Sequence, residues 1–219
     1  MKKRDLALTL LWAAGLNGWA ATRENAAAGK CDVIRTIPIQ LINDAAVKPK
    51  VVIAAQQEAA WVLESLCVEV EWAARSSTTA PEMRIIVGPL GPGVTERALG
   101  ITIFGADLHN RGAVFFSRVR AMEEVYGYLI DLGRLLGCVL AHEIGHLLLG
   151  TRAHSSEGVM IKNFGEAEVQ RAAQRRLIFT GSDREMFSGS EIVRRLSTKK
   201  AQNFQPNDID GYTKNRDLK

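Results

Sequence analysis

The chain has 219 residues, 47% of them hydrophobic and 24% charged, which suits one globular domain with its own core and excludes a wholly disordered chain. Its formal charge is +4, yet residues 1–5 net +2 and residues 190–219 net +3, which leaves about −1 for the rest, so no basic face for nucleic acid is expected. No internal stretch approaches the roughly 18–20 apolar residues of a membrane span.

The N-terminus reads as an export signal over residues 1–21. Lys2, Lys3 and Arg4 form a basic n-region, Leu6 to Leu16 an apolar stretch, and Gly18-Trp19-Ala20-Ala21 a small-residue cleavage site. A retained N-terminal anchor is the alternative. After cleavage no membrane span is expected, and the product is secreted or periplasmic. Residues 22–32 are rich in Ala and charge and read as a flexible leader. Three cysteines remain, Cys31, Cys67 and Cys138. Export makes a disulfide feasible. Cys31–Cys67 is the candidate pair, because each flanks a predicted strand; three free buried thiols are the alternative. Cys138 reads as a buried thiol.

A domain is expected over residues 33–189. Val33 to Asn43 alternates apolar and polar residues and reads as a strand. Pro49 to Cys67 reads as a helix, with Pro49 in its first turn and apolar residues at helical spacing from Val52 to Leu66. Val68 to Trp72 alternates strictly, and Met83 to Val87 is a short apolar run, so both read as strands. Leu99 to Phe104 and Ala113 to Val119 read as two more. Glu123 to Gly150 reads as one helix with a break near its start. Gly165 to Phe179 is expected as an amphipathic helix, and Gly181 to Phe187 as a turn with a short helix. Residues 190–219 are polar and expected to form a disordered tail. This order predicts an α+β fold: a mixed, twisted sheet of about five strands on two long helices, with a small C-terminal helical subdomain.

The chemistry concentrates in His142-Glu143-Ile144-Gly145-His146. On a helix, residues four apart share a face, so His142 and His146 can chelate one divalent ion. Imidazole nitrogen suits Zn²⁺. Glu143 projects near the same edge, where it can take a proton from metal-bound water and pass it to a leaving amine. Leu135, Leu136, Val139, Leu140 and Leu147 make the helix around the motif apolar, hence buried. A catalytic zinc keeps three protein ligands and an open position. His154 is the leading third ligand, because three of the four histidines fall within residues 142–154 and Gly150 can end the helix and turn the chain back. An acidic ligand from the next helix, Glu166 or Glu168, is the competitor. His109 lies in a loop and is expected to be a surface residue.

The stretch from His142 to Ser155, followed by Gly158-Val159-Met160, resembles the metzincin clan of zinc peptidases, whose motif is H-E-x-x-H-x-x-G-x-x-H with a methionine-containing turn after it. The His154-Ser155 ending and the nearby Met are most similar to the matrixin branch. The chain differs in spacing, with three residues between His146 and Gly150 and three between Gly150 and His154, where the motif has two. A divergent bacterial branch describes it better. The resemblance implies a zincin-like fold, His142, His146 and His154 as zinc ligands, Glu143 as general base, Gly150 as turn glycine and Met160 as the methionine under the metal. It also implies a substrate extended along an edge strand, here Leu99 to Phe104 or the loop after it. The expected function is secreted zinc metalloendopeptidase activity on peptide or protein substrates, by a monomer, through a zinc-bound water activated by Glu143. A non-catalytic zinc-bearing binding or structural protein of the same fold is the alternative. Cys31 capping the zinc as a thiolate would make a latent enzyme.

Overall fold

The computed structural model describes residues 31, 34–73, 80–89, 94–104 and 110–190. The predicted export signal, His109 and residues 191–219 of the polar tail lie outside the described residues.

Strand β1 (Arg35–Asn43) runs through the middle of the sheet. Ile37 and Ile39 are buried on one side of its pleat, Gln40 and Ile42 on the other. It pairs in parallel with β2 (Val68–Ala73) and β3 (Glu82–Ile86). A proline in such a strand must fall where no N–H is needed. The Gln40 N–H bonds to the Pro81 carbonyl at 3.0 Å, so even-numbered residues of β1 direct their N–H groups toward β3. Pairing with β3 begins only at Gln40, so Pro38 lies ahead of it and breaks no ladder bond. Strand β5 (Arg111–Phe115) continues the parallel set beside β3. Strand β4 (Gly100–Ile103) closes the order β2-β1-β3-β5-β4 as an antiparallel edge. The result is a mixed five-stranded sheet in an α+β fold.

Helix α1 (Pro49–Glu64) turns Ala55, Ala59, Val62 and Leu63 inward. Helix α3 (Leu132–Leu149) packs along α1 and against β4 and β5. It is long and apolar enough to cross a membrane, but 89% of it is buried inside the protein, where it serves as the core helix. Its start is fixed by Asp131, whose carboxylate accepts the Arg134 N–H at 3.0 Å.

Two expected boundaries are corrected. The run Ala113 to Val119 is not one strand: β5 ends at Phe115 and helix α2 (Phe116–Tyr126) begins at once. A short apolar run fits either element, and here Val119 is buried from a helix. The break expected near the start of Glu123 to Gly150 is present: α2 stops at Tyr126 and the Asp131 cap restarts the chain as α3. The helix expected over Gly165 to Phe179 is shorter, with α4 covering Glu166–Ala173. Arg175 then takes a left-handed conformation at φ 54°, and Leu177 and Phe179 enter the core from non-helical chain. A final helix, α5 (Gly181–Ser188), is capped by Thr180.

Cys31 and Cys67 form a disulfide, and Cys138 is a buried free thiol whose pKa is pushed up by burial. A disulfide-bonded Cys31 offers no thiolate to a metal, so the latency expected from it is corrected.

Candidate metal centre

Helix α3 carries His142, Glu143 and His146 on its buried length, at 7%, 4% and 5% exposure. Each of the two imidazoles is held by a backbone carbonyl. His142 Nδ1 lies 2.7 Å from the Val159 oxygen, and His146 Nδ1 lies 2.9 Å from the Thr151 oxygen. A carbonyl only accepts, so each Nδ1 carries the proton and each Nε2 presents a lone pair. The two Nε2 atoms stand 3.1 Å apart. With both as acceptors, nothing bonds them to each other. Protonation is opposed as well. Burial, then the neighbouring His146, pushes the His142 pKa down to about 3, and burial also lowers that of His146.

The third imidazole arrives from the return loop. Gly150 ends α3 at φ 67°, ψ 27°, a conformation that costs other residues a steric penalty, and its N–H bonds to the His146 carbonyl at 3.0 Å. The Ala153 N–H then bonds to Thr151 Oγ1 at 3.0 Å. His154 is thereby brought to ring-centroid distances of 5.4 Å from His142 and 4.9 Å from His146. One nitrogen from each of the three histidines lies within 4.8 Å of the others. A tetrahedral zinc with ligands at ~2.0–2.1 Å spaces its nitrogens about 3.3–3.4 Å apart. Two buried, neutral, mutually facing lone pairs and a third imidazole beside them fit a divalent cation. His154 itself is exposed and opens the group to solvent.

The chain after His154 turns under the helix. Ser155 N–H bonds to the Met160 carbonyl at 2.9 Å, and Ser155 Oγ donates to Asp183 Oδ1 at 2.6 Å, which anchors the loop to α5. Met160 is buried against α3: its Sδ lies 2.6 Å from where a Cβ on Gly145 would sit. Gly145 separates the two helix histidines, so Met160 lies against the segment that bears them. The Val159 carbonyl that orients His142 belongs to the same turn.

Glu143 faces the edge strand. Thr102 Oγ1 donates to Glu143 Oε2 at 2.8 Å, with the Glu143 backbone carbonyl 3.2 Å away as a second acceptor. A Cβ at Gly100 would lie 2.5 Å from Glu143 Oε1 and 2.7 Å from the Ala113 carbonyl, so only glycine admits the carboxylate there. Burial raises the Glu143 pKa to about 7, against the lowering effect of the Thr102 hydrogen bond. That value suits a group which must both take and return a proton near neutrality.

The acidic competitors stand elsewhere. Glu168 Oε2 accepts the Gly165 N–H at 3.0 Å and Oε1 pairs with Arg171 at 2.6 Å, so this side chain caps α4. Glu166 is exposed in the first turn of α4 and is not in the group of converging ligand atoms.

His142, Glu143, His146 and His154 line a cavity of roughly 220 Å³ together with Leu99 to Thr102 and Lys162 to Phe164. Thr102, Gly100 and Asp183 were not singled out by sequence reasoning. Thr102 and Gly100 fall in the predicted strand Leu99 to Phe104, but their link to Glu143 spans some forty residues and leaves no local pattern. No protein-family model matches this chain, and no curated protein matches it.

Proposed function

We propose that this chain is a secreted zinc metalloendopeptidase of zincin-like fold, related to the metzincin clan. The observation that carries this reading is the convergence of His142, His146 and His154 beside a buried carboxylate at the wall of an open cavity. The antiparallel edge strand β4, the turn glycine Gly150 and Met160 against the histidine segment support the kinship. The Cys31–Cys67 disulfide fits the oxidising compartment that an exported protein reaches.

His142, His146 and His154 would hold the ion. A zinc ion bound there supplies Lewis acidity toward a carbonyl and lowers the pKa of a water toward ~7. Glu143 accepts the proton of the attacking water and returns it to the departing nitrogen. Val159 and Thr151 carbonyls keep both helix imidazoles in the Nδ1-protonated form. Among the described residues, strand β4 pairs only with β5, which leaves its outer edge for an extended peptide.

The test is metal-dependent cleavage. Protein lacking residues 1–21 should bind one zinc per chain and cleave an unselective substrate such as casein. A chelator should stop cleavage and zinc should restore it. One zinc per chain with no cleavage across a broad peptide library would overturn the peptidase reading in favour of a zinc-bearing binding protein.

Thr102 acts here as a positioning residue. Its hydrogen bond lowers the Glu143 pKa, so Thr102→Val raises it. A base works only when ionised, so the acid limb of the kcat/KM profile should move to higher pH, and activity at pH 6 should fall more than at pH 8. An unmoved acid limb would remove Thr102 from this role.

A further inference from the structure

We infer that the basic rim of the histidine cavity selects peptides with carboxylate side chains on both sides of the bond presented to the metal centre. This rests on the peptidase reading of that site. Arg97, Arg152 and Lys162 all line the cavity, and Glu143 is the one carboxylate among its described lining residues. All three cations are exposed. Arg84, Arg134, Arg171 and Arg175 each meet an acidic partner within the fold. Among the described residues, no ion pair is formed by Arg97, Arg152 or Lys162. The body of the chain between its basic ends is near neutral, so three cations at one mouth, with no ion pair among the described residues, are a local concentration. A cleft lined with one sign of charge focuses its field on what enters.

Their placement follows the edge strand. Arg97 precedes Gly100, the first residue of β4, by three positions. The Arg152 guanidinium lies 5.8 Å from the ring of Phe104, the residue after the last of β4. The four residues of β4 itself span about 13 Å, the reach of a four-residue extended peptide. Lys162 lines the same cavity, beside Phe164, whose ring lies 5.8 Å from that of His142. A peptide along β4 therefore meets a cation toward each end, with a third in the same cavity lining. Guanidinium groups match carboxylates in a planar, two-pronged geometry.

The test is binding to zinc-loaded Glu143→Ala protein, so that turnover does not interfere. A fluorescent peptide with Asp and Glu flanking a central apolar pair is compared with its Asn and Gln counterpart, each with a free and an amidated C-terminus. The acidic peptide should bind about tenfold tighter, since exposed pairs each contribute a factor of about 1.5 to 5. The preference should shrink as salt rises and vanish in the Arg97→Ala/Arg152→Ala/Lys162→Ala variant. Equal binding of both peptides would overturn the inference, as would a preference that disappears on amidation, which would assign the rim to the peptide C-terminus. Casein cleavage by wild type judges the peptidase reading separately, so either can fail alone.

Discussion

Glu143→Ala should retain one zinc per chain and lose peptide hydrolysis by about a hundred- to ten-thousand-fold. The carboxylate is 4% exposed, hydrogen-bonded to Thr102 and absent from the converging nitrogen atoms, so its removal touches the proton path and leaves the ligand set whole. Truncation still leaves the Thr102 hydroxyl the Glu143 backbone carbonyl as an acceptor at 3.2 Å. Stability should therefore fall little, which thermal melting checks beside the cleavage assay. A variant that cleaves casein as fast as wild type would remove Glu143 from the mechanism.

His146→Ala should lower zinc affinity by more than about a hundredfold, because loss of a mere outer-shell partner already costs about 10–100-fold. His146 Nε2 is one of two lone pairs 3.1 Å apart, and its Nδ1 also fastens the return loop at Thr151. Its loss removes a ligand and loosens the path to His154 together. Zinc that binds only the folded state stabilises it by about 4 kcal/mol at a thousandfold excess over Kd. Wild type should thus show a clear zinc-induced rise in Tm, and His146→Ala almost none. An equal rise in both proteins would place the ion away from these histidines.

The histidine-bearing helix α3 was legible in the sequence because its information is local. Two histidines four apart, an apolar surround and a glycine at the end specify one helix face and its stop without reference to any other segment. The strands at Val33 to Asn43 and Val68 to Trp72 followed from period-two alternation for the same reason. Boundaries were less legible where two elements share a composition. Phe115 and Phe116 read alike, yet one ends a strand and the next begins a helix. The break near the start of Glu123 to Gly150 was legible, and the Asp131 capping bond fixes where the second helix begins. Leu177 and Phe179 are buried as a helix would bury them, but the left-handed Arg175 had already ended α4.

The parts of the site contributed from a distance were not legible. Thr102, Gly100 and Asp183 act on Glu143 and Ser155 through contacts that exist only after the sheet and the C-terminal helix have packed on α3. No spacing rule reports such contacts. The longer stretch between His146 and His154 illustrates the reverse case. Its two extra residues depart from the clan's spacing, yet the helix extends to Leu149, Gly150 reverses it, and the Thr151 hydroxyl bond to Ala153 folds the loop inward. His154 still reaches the other two imidazoles.

The central claim is a three-histidine zinc with an open position, and zinc K-edge X-ray absorption of the loaded protein tests it most directly. The expected spectrum has three imidazole nitrogens at ~2.0–2.1 Å and a remaining light scatterer from solvent, with one imidazole lost in His154→Ala. Four protein ligands, or an imidazole count that His154→Ala leaves unchanged, would contradict it.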